Sequence, residues 1–326
     1  MFLMLNLDAA ATNLLSIPVL AFALGLLAAR LRSDLSVSKG LTDGISFVLL
    51  LAIGFKGGAA IYGVSVGQLA IPLAMTIVLG CIIPLIAFAL LGLGKKKISK
   101  VDRGSIAAHY GSTSLVTFSA ALVFLETQNV AYEGKVTALL VAMEIPGILI
   151  GILLAKGGFS ALKNKELIRE VFLGKSVLLL LGGLLIGAIA GPKGMEKVSP
   201  LFVDALPGLL TLFLLTLGFK AGSHLGEFKA LGFKMLAFGT LFPLFTGAVG
   251  ALTATLIGMS PGGATAFAVL CASASYIAAP AAVSVALPEA SKPLTILSSL
   301  GVTFPFNLIV GIPVYFMMAN AFAAWL

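Results

Sequence analysis

Two stretches carry side chains that could do chemistry. Asp102–Ala121, DRGSIAAHYGSTSLVTFSAA, places His109, Tyr110, Gly111, Ser112, Thr113, Ser114 and Thr117 inside an otherwise apolar region. Gly262–Ser284 has the same character, with Ala272, Ser273, Ala274 and Ser275 followed by Pro280. Small hydroxyl residues around a glycine let backbones approach closely and offer oxygens and N–H groups to a polar ligand. In a bilayer such backbone must be shielded by protein or line a cavity. Glu144 is the third signal: of the 13 acids it alone falls near the middle of an apolar run. A charge there is costly and marks an ion path or a paired interior site. It could ligate a cation, accept a proton or hydrogen-bond as the neutral acid.

The elements that must hold these residues are membrane helices. The 326-residue chain is 59% hydrophobic and only 10% charged, with a mean hydropathy of +1.11. Soluble domains are about 25% charged. The net charge of +8 does not point to nucleic acid, because the basic residues sit in short loops, where they set membrane orientation. Cys81 and Cys271 lie far apart in apolar runs and read as buried thiols, not a disulfide or metal pair. The N-terminus lacks the positive start of a cleaved signal.

A span needs about 20 apolar residues. Ten stretches qualify: 14–31, 43–62, 68–92, 104–125, 135–155, 172–190, 204–222, 230–257, 262–284 and 294–322. With the N-terminus outside, only Lys56, Lys135, Lys193 and Lys197 of the 21 basic residues fall on the outer side. That asymmetry places both termini outside. Internal matches then suggest a repeat. Leu51–Gly58 (LAIGFKGG) matches Leu215–Gly222 (LTLGFKAG), Ser112–Ser114 aligns with Ser273–Ser275, and Ile145-Pro146 aligns with Phe304-Pro305. Residues 1–155 and 172–326 would be two inverted five-helix repeats joined by a cytoplasmic linker, 156–171. An odd number of spans per half forces opposite insertion, an architecture of many secondary transporters with the site at the repeat interface.

Within that scheme spans four and nine are broken, at Gly111–Ser114 and near Ala272–Pro280, where Pro280 would interrupt the helix. Half-helix N-termini suit an anion; unwound carbonyls and hydroxyls suit sodium. The anion site is assigned to Gly111, Ser112, Thr113, Ser114, Ala272, Ser273 and Ser275. The sodium site is assigned to Glu144, Thr113, Thr303 (the repeat mate of Glu144) and Asn307. Lys56 and Lys220, also repeat mates, read as snorkelling to the interface. His109 either faces the site or is hydrogen-bonded to a neighbour. Pro146, Pro305 and Pro313 are expected to kink spans five and ten. One mid-membrane acid and two histidines do not make an enzyme site, and no cofactor or metal beyond sodium is expected.

The chain resembles the cyanobacterial sodium-dependent bicarbonate transporter (SbtA) family and its wider bacterial relatives. The resemblance rests on Ile53–Gly58 (IGFKGG), Gly111-Ser112-Thr113, Phe124–Gln128 (FLETQ) with Tyr132-Glu133, and Met143–Pro146 (MEIP), where the cyanobacterial pattern has aspartate for Glu144. It implies ten spans, a mobile core domain against a gate domain, a homotrimer in the bacterial inner membrane, and sodium-driven symport of bicarbonate by alternating access. The alternative is a sodium- or proton-coupled transporter of another small anion or organic carboxylate. The family's link to a PII-like regulator is carried on a cytoplasmic segment longer than 156–175 here, which counts against that partner. The topology predicts that cysteines introduced at Lys163 and Lys193 label from opposite sides of the membrane; labelling of both from one side would refute it.

Overall fold

The structure is a computed structural model that describes residues 13–35, 38–93, 98–159, 163–223 and 228–326. Residues 1–12, the inner-loop lysines Lys95, Lys96 and Lys97, and 160–162 of the linker lie outside the described residues. The described residues form helices and no strand: α1 (Ile17–Arg30), α2 (Lys39–Ile61), α3 (Val66–Gly92), α4 (Lys100–Gly111), α5 (Leu115–Thr127), α6 (Val136–Lys156), α7 (Lys165–Leu173), α8 (Lys175–Glu196), α9 (Leu206–Ser223), α10 (Phe228–Leu256), α11 (Pro261–Ala272) and α12 (Ala278–Ala286). A last helical segment, α13, runs from Lys292 to Trp325. Among the described residues, eight helical segments are long and apolar enough to cross a membrane, and α1 and α11 are shorter apolar helices. This is a polytopic all-α membrane protein.

The apolar runs become helices because, without water, a helix satisfies its own backbone. Local polar residues set where several begin. Ser38, Ser99, Ser114, Asn164, Ser260 and Ser291 each accept a backbone N–H of the following first turn, which satisfies a donor that the helix cannot. In the linker, α7 buries Leu167 and Val171 against Ile148 and Ile152 of α6 and Ala279, Ala282 and Val283 of α12. It is an amphipathic helix docked on the protein.

Two helix pairs pack back to back, α1 on α9 and α2 on α8. Lipid offers no hydrophobic drive for this, so small residues that allow close approach decide it. A Cβ on Gly54 would lie 2.8 Å from Leu180 O and 2.9 Å from Gly183 Cα. One on Gly58 would run into Leu184 O and Ala188 N; one on Gly25 or Gly218 would hit the backbone of the facing helix, Leu215 O and Phe22 O respectively. The LAIGFKGG and LTLGFKAG matches are therefore the packing seams of the two pairs.

The second group is α3, α4 and α6 together, and α10, α11 and α13 together. At its centre, the most apolar 18-residue window between Lys100 and Thr127 is 94% buried, against 61% or less in the other candidate spans, so it meets protein and not lipid. Proline acts differently from expectation. Pro280 does not make the break; it sits in the first turn of α12, where its missing N–H has no partner to lose. Helix α6 runs uninterrupted through Pro146. In α13 the helix widens to π turns at Leu297–Thr303 and Asn307–Gly311, just ahead of Pro305 and Pro313. Gly58→Val should therefore destabilise the protein by more than about 3 kcal/mol, since the overlap is with backbone. Gly182→Val, with no atom within 4 Å, should change stability by less than about 1 kcal/mol. Thermal unfolding in detergent checks the contrast; equal effects would refute the packing argument.

Candidate functional site

Helix α4 ends at Gly111, Ser112 turns extended (φ −94°, ψ 165°), and α5 starts after Ser114. Helix α11 ends at Ala272, Ser273 turns extended (φ −88°, ψ 161°), and α12 starts after Ile277. Each break holds a serine whose Oγ accepts an N–H from the first turn of the next helix. Ser114 Oγ accepts from Thr117 N (3.2 Å) and Ser275 Oγ from Ala279 N (3.1 Å).

The two breaks cross and satisfy one another. Ser114 N–H donates to Ser273 Oγ (2.9 Å), Thr113 Oγ1 shares a hydrogen bond with Ser273 Oγ (2.9 Å), and Ser275 N–H donates to His109 O (2.8 Å). Asn307 Nδ2 donates to the helix-end carbonyl of Ala272 (2.9 Å), and Tyr315 OH holds Asn307 Oδ1 (2.8 Å). The first break also packs against α3 and α6 through glycine. A Cβ on Gly111 would fall 2.7 Å from Pro84 Cγ, and one on Gly147 would overlap Gly111 C and O.

At the crossing lies a cavity of about 10 Å³ lined by Thr113, Ser114, Glu144, Ser176, Ser275 and Tyr276, among others. That is about the space of one water-sized occupant. Glu144 is 5% exposed, and its Oε2, Ser112 Oγ and Tyr276 OH are buried without a partner. Buried polar groups are normally paired, so these three oxygens are free for a ligand. Tyr276 and Ile277 also line a larger cavity of about 760 Å³ that extends past Ser46 and Thr216 to Asp34, Asp43 and Lys220.

The structure thus gathers Gly111, Ser112, Thr113, Ser114, Ala272, Ser273, Ser275 and Glu144 in one region. Two expected sodium ligands are engaged otherwise. Thr303 Oγ1 donates to Gly239 O (2.7 Å) and sits 2.7 Å from Tyr110 OH. Asn307 is spent on Ala272 and Tyr315. Ser176 and Tyr276 are lining residues that the sequence did not single out; Ser176 stands near the start of an apolar run, and Tyr276 directly follows the Ala272–Ser275 stretch. Lys56 is not a free snorkelling lysine: its Nζ lies 2.9 Å from Glu126 Oε1 and 3.1 Å from Tyr132 OH, tying α2 to the end of α5.

Carboxylates lock the crossing from its far ends. Glu133, after α5, accepts Ser260 N–H (2.7 Å) and Ser260 Oγ–H (2.9 Å) at the start of α11. Asp102, at the start of α4, accepts Ser291 N–H (2.7 Å) and Ser99 Oγ–H (2.7 Å). Each broken span is tied at its start to the loop that follows the other.

A family model described as the Na+-dependent bicarbonate transporter superfamily matches residues 18–320. No curated protein matches the chain.

The geometry makes Gly147 a test of how the first break is seated on α6. Gly147→Ala should cost about 1–3 kcal/mol through overlap with Gly111 and abolish transport. Gly40→Ala, with open space around it, should be silent in both the unfolding midpoint and flux. A fully active Gly147→Ala protein would show that this close approach is dispensable.

Proposed function

The chain belongs to the Na+-dependent bicarbonate transporter superfamily, a family of transporters and not of enzymes, and from that premise we propose that it is a sodium:bicarbonate symporter. The observation that carries this reading is the crossing of the two breaks beside Glu144. Two helix N-termini, those of α5 and α12, and two helix C-termini, those of α4 and α11, meet there. N-terminal N–H groups favour an anion, and C-terminal carbonyls favour a cation. Both partners of a symport are thereby served without a fixed lysine or arginine, whose full charge would hold the anion against release. The hydroxyls of Thr113, Ser114 and Ser275 and the Glu144 carboxylate offer the oxygens that a hard cation takes.

The proposal extends to ten spans in two inverted repeats working by alternating access. Three features support it. Exchanging the halves maps the α1–α9 pair onto the α8–α2 pair. The cap serines Ser99 and Ser260, and the break serines Ser112 and Ser273, recur at one spacing in the two halves. The large cavity runs between helices α2 and α9 and the Tyr276 break, a path to the site along the seam between the α1, α2, α8, α9 group and the rest. In this reading those four helices are the gate, the others are the moving core in an elevator-like motion, and Lys56–Glu126 is a tie across the seam. The basic-residue asymmetry supports both termini outside a bacterial inner membrane. The family resemblance supports a homotrimer.

Uptake of labelled bicarbonate, with and without sodium, tests the function. Ser112 Oγ bonds nothing in the protein, so Ser112→Ala should leave the fold intact. Losing one hydrogen bond to a charged ligand should cost about 1.5–3 kcal/mol, which raises half-saturating bicarbonate roughly tenfold or more. Glu144→Gln keeps shape and removes charge, and should abolish or strongly weaken the dependence on sodium. Sodium-independent uptake by the parent would refute the coupling, and uptake of an organic acid in place of bicarbonate would refute the substrate. Parent-like behaviour of both variants would move the site elsewhere.

A further inference from the structure

A third cavity, of about 300 Å³, lies between α4, α12 and the start of α13. None of its lining residues lines the small cavity at the crossing. Ser105 and His109, one helical turn apart, are 0% and 1% exposed, and both line it. His109 Nδ1 lies 2.7 Å from Ser105 O. A carbonyl oxygen only accepts, so Nδ1 carries the proton, and Nε2 of the neutral ring presents a lone pair. Neither His109 Nε2 nor Ser105 Oγ has a hydrogen-bond partner. The other hydroxyls of the wall are already used: Ser284 Oγ donates to Ala281 O (2.8 Å) and Thr295 Oγ1 to Lys292 O (3.0 Å).

We propose that this cavity is a binding site for a small carboxylate that carries a hydroxyl group. Each requirement comes from a wall residue. His109 Nε2 accepts, so the ligand must bring a donor, which a hydroxyl supplies. Ser105 O–H can donate to a second ligand oxygen. Lys292 lines the same cavity and is exposed to solvent, so the ligand is an anion entering from that end. Pro280, Val283, Leu287 and Ile296 line the remainder with hydrocarbon, which suits a short carbon skeleton. The volume is at the low end for small-molecule pockets, roughly 300–1,000 Å³. One neutral imidazole beside a lysine is not a metal-ligand set. A short 2-hydroxy acid has all these features. Bicarbonate shares the carboxylate and hydroxyl, so the ligand could be organic or the transported anion itself.

Calorimetric titration of the purified full-length protein with lactate, propionate and bicarbonate tests this. Lactate should bind saturably. Propionate, which matches lactate but lacks the hydroxyl, should bind at least about tenfold more weakly, the value of one hydrogen bond to a charged or polar partner. Ser105→Ala and Lys292→Gln should each weaken lactate about tenfold. Ser105→Ala removes an atom that bonds nothing in the protein, and this protein should take up bicarbonate like its parent. Displacement of lactate by bicarbonate would identify the transported anion as an occupant, and its failure would identify an organic hydroxy acid. No saturable lactate binding, equal binding of lactate and propionate, or unchanged lactate affinity in both variants would overturn the proposal. So would loss of bicarbonate uptake in Ser105→Ala, because the cavity would then belong to the transport site. Absence of sodium-driven uptake in the parent would defeat the symport reading and leave the lactate result standing.

Discussion

Everything in this molecule depends on one constraint: backbone polar groups at membrane depth have no water to turn to. Breaking a helix there leaves several N–H and C=O groups without partners, each at a cost of a few kcal/mol. The protein breaks two helices and lets each repair the other. Ser114 N–H finds Ser273 Oγ, Ser275 N–H finds His109 O, and Asn307 covers Ala272 O. What remains unpaired after that exchange includes Glu144 Oε2, Ser112 Oγ and Tyr276 OH, the oxygens on which the proposed site rests.

The first break is seated on its own half by close approach, and that approach demands glycine. A side chain on Gly147 would overlap Gly111, and one on Gly111 would overlap Pro84. The same device joins α1 to α9 and α2 to α8. The difference lies in what glycine achieves. In the outer pairs it only permits packing. At the first break it lets α6 lie directly against the backbone where α4 ends. Glu133 and Asp102 then fix the distant ends, so the crossing is held at its centre and at both starts of the broken spans.

Much of this was legible in the sequence, in unequal measure. Hydroxyl-rich stretches inside apolar runs have few fates in lipid, so Gly111–Ser114 and Ala272–Ser275 mark the places where helices end. Glu144 stands out because no other acid lies so deep. Local composition does not, however, encode which groups face each other. The repeat offset places Thr303 at the depth of Glu144, but the π turns of α13 alter the register, and its hydroxyl meets Tyr110 and Gly239 instead. Pro280 misled because proline is silent in a first turn. Lys56 reads as a span-end lysine until Glu126, 70 residues later, folds back beside it. Glu133 and Tyr132 looked like motif letters; their work as a helix-start clamp and as a hydrogen-bond partner of the Lys56–Glu126 pair exists only across the fold.

The mutual repair of the breaks has a consequence for how the protein is made. Ser114 and the serine that satisfies its backbone are separated by 159 residues. At about 5–20 residues per second, a ribosome needs roughly 8–30 s to supply that partner. Throughout that interval the segment that becomes the first break lacks its partner. It must wait as a continuous helix, remain near the aqueous insertion channel, or be shielded by a chaperone. Final pairing of the first break is therefore a late event, timed by the arrival of the second half.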